Sequence, residues 1–162
     1  MSDKDRVIVS VIMNCYNSDK YLKEAIDSIY QQTYTNWEII FWDNDSTDTS
    51  ANIAKSYDKK LKYFRAENTT LLGEARILAV EKSNGKYLAF LDCDDYWYPD
   101  KLEKQMKIFD LDSEIAVVYS RAELLFEDSG DIKIFPRKSK LKNDFVFKDL
   151  VKEDFVPFPS VV

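Results

Sequence analysis

Short apolar runs alternate with amphipathic segments along this chain, and that alternation limits its possible folds more than any other feature. Residues 7–13 (VIVSVIM) form a β-branched run that is typical of a strand buried on both faces. The next segment has an apolar stripe at helical spacing, formed by Leu22, Ala25, Ile26, Ile29 and Tyr30. This order repeats through about the first 110 residues, which predicts an α/β fold with a mainly parallel, Rossmann-like sheet and helices on both faces.

The remaining elements are predicted from the same patterns. Strands are expected at residues 37–42, 61–65, 87–91 and 115–119, and helices at 47–57, at 73–83 and after Pro99. Asn84 and Gly85 predict a left-handed stop to the helix at 73–83. A β-hairpin at 123–135, a short helix near 147–151 and a strand beginning at residue 160 complete the chain. We therefore expect a core over residues 1–120 that continues, within the same domain, over 121–162.

The composition excludes several classes of function. The net charge of −6 gives no support for nucleic-acid binding. The absence of histidine excludes a Ser-His-Asp triad, a Cys-His pair and His-ligated zinc. Cys15 and Cys93 are too few for a disulfide framework, which favours a reduced, cytoplasmic setting. We expect no transmembrane segment because no apolar run approaches the length of about 18 residues that one requires.

Three carboxylates follow the apolar run at residues 87–91 directly. In an extended segment Asp92 and Asp94 can point the same way while Cys93 turns back. Two carboxylates held side by side repel each other unless a cation or a shared proton lies between them. The expected cation is Mn²⁺ or Mg²⁺, which prefers oxygen ligands and often shares phosphate oxygens. The alternative is a polar turn whose acids, including Asp95, are only solvated.

Polar residues also follow two other predicted strands. Asn14 and Tyr16 come after the first strand and Asp43 after the second, so they should meet Asp92 and Asp94 at the carboxyl edge of a parallel sheet. This edge suits a nucleoside diphosphate, with a metal ion bridging the phosphates and Asp94.

Three side chains each have a candidate role in binding and a plainer structural alternative. Tyr16 can stack on a base, Asp43 can accept a hydrogen bond from a base N–H, and Arg76 can reach a phosphate or sugar. Alternatively, Tyr16 covers the core, Asp43 is a turn or capping residue, and Arg76 is an exposed helical arginine.

Four motifs in this order resemble the family 2 glycosyltransferases, which have the GT-A nucleotide-diphospho-sugar transferase fold. They are VSVIMNCYN, WEIIFWDNDSTDTS, GEAR and GKYLAFLDCDDYWYPDKL. The usual proline of the first motif is replaced by Asn14, and the usual DDGSTD appears as DNDSTD. Asp43, the first acid of that motif, is kept, and Asp45 replaces its glycine.

The resemblance implies an inverting glycosyltransferase domain that uses a nucleotide-diphospho-sugar, with a UDP-sugar favoured. It does not identify the acceptor, and it leaves a glycan, a lipid and a protein open. The nucleotide-sugar residues that it implies are Asn14, Tyr16, Asp43, Arg76, Asp92 and Asp94. The metal ligands that it implies for Mn²⁺ or Mg²⁺ are Asp94 as the principal ligand, Asp92, and Asp95 in support.

The catalytic residue is not identified by the sequence. In the family a carboxylate base in the acceptor half takes the proton of the acceptor. No motif selects among Asp144, Asp149, Glu153 and Asp154, so we expect the base beyond Val162 and the acceptor half of the fold to be truncated.

Two other classes of function are kept as alternatives. The first is a catalytically incomplete nucleotide-sugar-binding module. The second is a phosphatase of the haloacid dehalogenase type, which would use Asp92 as nucleophile but normally has Thr or Val where Asp95 and Tyr96 stand. The basic stretch at residues 137–142 predicts either peripheral contact with the inner membrane surface or a solvated face.

Overall fold

The computed structural model describes residues 8–135 and 156–162. Strands and helices alternate through the first part in the order β1 (Val9–Cys15), α1 (Asp19–Tyr30), β2 (Trp37–Asp43), α2 (Ser50–Lys55), β3 (Leu61–Arg65), α3 (Leu72–Val80), β4 (Tyr87–Phe90) and α4 (Lys101–Phe109). A hairpin of β5 (Ala122–Phe126) and β6 (Asp131–Phe135) follows, and Phe158–Ser160 form a 3₁₀ turn. None of the described helices is long and apolar enough to cross a membrane.

The main sheet has the strand order β3-β2-β1-β4, and all of its pairs are parallel. Cys15 at the end of β1 lies level with Asp43 at the end of β2, and Asp43 lies level with Arg65 at the end of β3. The carboxyl ends of these strands therefore share one edge, as the sequence predicts.

Apolar side chains cover both faces of the sheet because alternate residues of each strand point to opposite sides. The cluster on the face covered by α1 and α4 includes Val11, Met13, Ile26, Ile29 and Leu102. The cluster on the face covered by α3 includes Ile12, Ile40, Trp42, Ala75 and Ala79. The prediction of a mainly parallel sheet with helices on both faces is confirmed.

The predicted strand at residues 115–119 is wrong. Within the described residues its only reciprocal backbone pairing joins Val118 to Val162, whose N–H groups each donate to the other's carbonyl oxygen at 2.9 Å. That exchange is an antiparallel pattern, but one pair is too short to form a strand. The segment that contains Val162 is also held by side chains, since Trp97 Nε1 donates to the Pro159 carbonyl at 2.8 Å and Gln105 Nε2 to the Ser160 carbonyl at 2.6 Å.

Other predicted elements are partly confirmed. The hairpin is present, with Leu125 paired to Ile132 across its two strands. Helices α2 and α3 are shorter than predicted and end at Lys55 and Val80, where turns replace their last residues. The short helix near 147–151 and the basic stretch at 137–142 lie outside the described residues, so both stay predictions, as does the boundary at residue 120.

Gly85 is required for close packing rather than for a left-handed turn. Its φ is not positive, so the predicted left-handed stop is wrong. Its N–H donates to Ser10 Oγ at 2.9 Å, and Ser10 Oγ donates to Glu38 Oε1 at 2.7 Å. A Cβ atom at Gly85 would lie 2.6 Å from the backbone nitrogen of Ser10.

The carboxylate of Glu38 is the buried centre of this polar cluster. Besides the bond from Ser10, it accepts the backbone N–H of Asn84 at 2.9 Å and forms an ion pair with Lys62 at 2.5 Å. Burial alone raises the pKa of Glu38, but Lys62, Ser10 and Asn84 outweigh burial and bring it below the ordinary value of 4.5. These contacts join the start of β4 to β1 and β2.

We expect Gly85→Ala to lower the free energy of unfolding by about 2 kcal/mol, because the added methyl group overlaps the backbone of β1. Urea denaturation measures this change. Gly73→Ala is the matched control, since nothing lies within 4 Å of a Cβ atom there. In helix α3 it should stabilise the protein slightly, by up to about 1 kcal/mol. Equal effects of the two substitutions would contradict the packing explanation.

We expect Glu38→Gln to lower the free energy of unfolding at pH 7 by about 1–2 kcal/mol, because the ion pair with half-exposed Lys62 is lost. The folded state lowers the pKa of Glu38, so this stabilisation is complete above pH 4.5 and disappears as the pH falls through the folded pKa. Urea denaturation as a function of pH should therefore show the two proteins converging in acid. Exposed Glu114→Gln is the control, and a difference that stays constant with pH would refute the assignment.

Candidate functional site

A cleft of about 420 Å³ opens at the carboxyl edge of the sheet and is called here the edge cleft. Five of the predicted site residues line it, namely Asn14, Tyr16, Arg76, Asp92 and Asp94. They come from the end of β1, from α3 and from the residues after β4, which the parallel register brings to one edge. The structure thus brings together most of the side chains that the sequence singles out.

Opposite charges meet inside the edge cleft. Arg76 Nη2 lies 3.3 Å from Asp92 Oδ1, so an ion pair links α3 to the end of β4. Lys20, in the first turn of α1, lines the same cleft and forms a 3.5 Å ion pair with Glu127 of the hairpin turn. Two cations and two carboxylates therefore share one small space. Lys20 was not singled out by any sequence motif, and only its location in the first turn of α1 shows that it lines the edge cleft.

Asp94 differs from Asp92 because it is exposed and makes no hydrogen bond or ion pair within residues 8–135 and 156–162. Asp95 is half-buried and does not line the edge cleft. Burial, followed by the negative charges of Asp94 and Asp92, raises the pKa of Asp95 to about 6. The three carboxylates therefore concentrate negative charge that a cation would relieve.

The described residues do not form a complete metal site by themselves. Nowhere in that part of the chain do three or more carboxylate or cysteine side chains converge so that they could hold a metal ion. The carboxylates that line the edge cleft are those of Asp92 and Asp94, and their oxygens are of the type that Mn²⁺ and Mg²⁺ prefer. A divalent ion would need further oxygen ligands from phosphate or water.

Asn14 and Tyr16 form the side of the edge cleft nearest β1. Tyr16 is 53% exposed, so its ring does not cover the core and is free for stacking. The Nδ2 atom of Asn14 is buried and has no hydrogen-bond partner among the described residues. Unpaired buried donors are rare in folded proteins, so this amide is a candidate for contact with a ligand.

Asp43 lies apart from these residues. It is completely buried and does not line the edge cleft. Its Oδ1 accepts the backbone N–H of Ser46 at 2.7 Å, while Oδ2 accepts from Tyr63 Oη and from Arg65 Nη1, the latter at 2.9 Å. The bond from Ser46 is the local turn chemistry of the plainer alternative, and contact with a base stays a prediction.

The loop after β2 keeps the backbone shape that a glycine would favour. Asp45 stands where the family pattern has glycine, and its φ is +69°, in the left-handed region. Its carboxylate accepts from Arg65 Nη2 at 2.7 Å, which ties the strained residue to β3. Asn17 Oδ1 accepts the N–H of Thr47 at 2.8 Å and joins this loop to the one after β1.

Sequence reasoning missed Tyr63 and Arg65 as supports of Asp43. They stand on alternate positions of β3 and reach Asp43 only because β3 pairs with β2 in this register. The available sequence signal for this role is that Tyr63 and Arg65 occupy alternate positions in β3 and so point to the same face of the sheet.

We expect Asp43→Asn to lower the free energy of unfolding by about 2 kcal/mol, because an amide oxygen that keeps the bonds from Tyr63 and Arg65 leaves the amide NH2 facing the N–H of Ser46, another donor. Asp45→Asn is the matched control, since Asp45 is half-exposed and contacts the same Arg65, and it should cost less than about 1 kcal/mol. Urea denaturation measures both. A larger loss for Asp45→Asn would show that the buried carboxylate is not the centre of this network.

Comparisons with known proteins identify the family of this chain. Residues 10–150 match Glycosyl transferase family 2. The whole chain aligns at 35% identity with 57% of an uncharacterized glycosyltransferase of Methanocaldococcus jannaschii. In addition, 77% of the chain aligns at 34% identity with 49% of WfgD of Escherichia coli, named a UDP-Glc:alpha-D-GlcNAc-diphosphoundecaprenol beta-1,3-glucosyltransferase. The chain spans about half the length of these two curated relatives.

Solved structures show the same relationship. The chain resembles S. aureus TarS in complex with UDP-GlcNAc, with a TM-score of 0.62 and 28% sequence identity over 73% of this chain and 33% of that one. The chain therefore belongs to glycosyltransferase family 2 and has the sheet of that family's GT-A fold.

Proposed function

We propose that this chain is the donor-binding part of an inverting glycosyltransferase that transfers a sugar from a UDP-sugar to a glycan, lipid or protein acceptor. The observation that carries the proposal is the edge cleft, where Asp94, which has no partner within the described residues, lies beside the Arg76–Asp92 pair. Two relatives support UDP as the nucleotide, since the name of WfgD includes UDP-Glc and the TarS structure contains UDP-GlcNAc. Family membership leaves no reason to retain the phosphatase alternative.

The charges of the edge cleft suit a diphosphate. Arg76 can donate a charge-assisted hydrogen bond to a phosphate oxygen, and Lys20 supplies a second positive charge. Asp94, with Asp92, would hold Mn²⁺ or Mg²⁺, while Asp95 would support the site through its charge alone. A bound divalent ion would neutralise the charge that develops on the departing diphosphate.

The nucleoside would lie on the β1 side of the edge cleft. Tyr16 offers an exposed ring for the base, and Asn14 Nδ2 offers a donor to a base or ribose oxygen. Asp43 is proposed to accept a base N–H as well. Because that carboxylate is completely buried and holds Tyr63 and Arg65, such contact requires the loop after β2 to open.

Calorimetric titration with UDP tests the proposal. Wild-type protein should bind UDP more tightly with Mn²⁺ or Mg²⁺ than without. Asp94→Asn should raise the Kd for UDP in the presence of metal at least about tenfold, which corresponds to about 1.4 kcal/mol, because the carboxylate charge that would bind the ion is lost. Asp112→Asn, at an exposed acid after α4, is the control. Unchanged metal-dependent affinity in a folded Asp94→Asn protein would contradict the proposed site.

An assay of sugar transfer distinguishes an enzyme from a binding module. Release of UDP from UDP-glucose or UDP-GlcNAc in the presence of acceptor would establish turnover. Metal-dependent UDP binding without turnover would favour the module.

A further inference from the structure

The two cysteines of the chain come together at the floor of the edge cleft. Cys15 ends β1, and Cys93 lies just after β4, the neighbouring parallel strand. The pairing of β1 with β4 ends at Ile12 and Phe90, and Cys93 follows in the turn three residues later. Both thiols belong to one buried cluster, and the Cys93 thiol donates to the carbonyl oxygen of Asn14, the residue before Cys15, at 3.3 Å.

Both thiols are protected from bulk solvent, and of the two it is Cys93 that borders the edge cleft. Cys15 is 1% exposed and Cys93 is 4% exposed, yet Cys93 lines the edge cleft. A molecule as small as hydrogen peroxide can approach from that side, whereas a bulky thiol or a second protein cannot. Since the chain contains no other cysteine, each thiol has only the other as an intramolecular partner.

We propose that Cys15 and Cys93 are an oxidation site, a dithiol that hydrogen peroxide converts to an intramolecular disulfide at the floor of the edge cleft. In the first step a thiol sulfur attacks a peroxide oxygen, the O–O bond breaks, and a sulfenic acid and one water form. In the second step the other sulfur attacks the sulfenic sulfur, an S–S bond replaces the S–O bond, and the hydroxyl leaves with the thiol proton as a second water. Two thiols are oxidised and one peroxide is reduced.

The backbone spacing favours this closure. Adjacent strands lie about 4.7–4.9 Å apart, and disulfides join residues whose Cα atoms are about 4.4–6.8 Å apart. The paired parts of β1 and β4, which end three residues before Cys15 and Cys93, therefore need not separate or slide for the bond to form. Since Cys93 stands between Asp92 and Asp94, the disulfide would fasten the residues after β4 to the end of β1.

The test treats the folded, reduced 162-residue chain with hydrogen peroxide, then denatures it and alkylates it with iodoacetamide. Intact mass should show the loss of two hydrogens, and the number of alkylated thiols should fall from two to none. Tryptic digestion should yield residues 7–20 joined to residues 87–101. Dithiothreitol should reverse each change. None of these measurements involves nucleotide, so the result is independent of the proposed function.

Cys15→Ser and Cys93→Ser are the matched controls, each of which leaves one thiol. Both should gain oxygen atoms instead of losing hydrogens, and neither should give the joined peptides. Thiols that remain alkylatable after peroxide would overturn the proposal. Oxygen addition without hydrogen loss in the wild-type chain, or a disulfide between two chains on a non-reducing gel, would overturn it as well.

Discussion

The structure depends on the pairing of β1 with a parallel neighbour on each side. Val9 is level with both Trp37 of β2 and Tyr87 of β4, so all three strands run toward the same edge. Parallel pairing needs a crossover between strands, and helices α1, α2 and α3 supply these connections while covering the two faces. The chemistry of the edge cleft follows from this constraint, because residues distant in sequence reach one place only at the ends of parallel strands.

Much of the fold was predictable because its signals are local. The β-branched run of β1 and the helical stripe of α1 each specify an element without help from the rest of the chain. The shared edge also follows from local information, since alternating strands and helices give parallel sheets. The parallel order therefore predicts that Asn14, Tyr16, Asp92 and Asp94 meet at one edge, as they do in the edge cleft.

The remaining features depend on contacts that a sequence does not display. Asp43 stands at the end of β2 as expected, but its burial is caused by Tyr63 and Arg65, which only the register of β3 brings near. Gly85 looks like a turn residue, whereas the close approach of Ser10 explains it. The apolar pattern around Val118 is typical of a strand, yet a strand exists only where a neighbour pairs with it over several residues.

The docking of Trp97 has a mechanical consequence. Its backbone N–H donates to Ser28 Oγ at 3.1 Å, and its indole donates to the carbonyl of Pro159, so it is clamped between α1 and the segment at 156–162. Asp94 is three residues away along the same loop. The loop that carries Asp94 is therefore tied through Trp97 both to α1 and to the segment at 156–162, which lies outside the sheet.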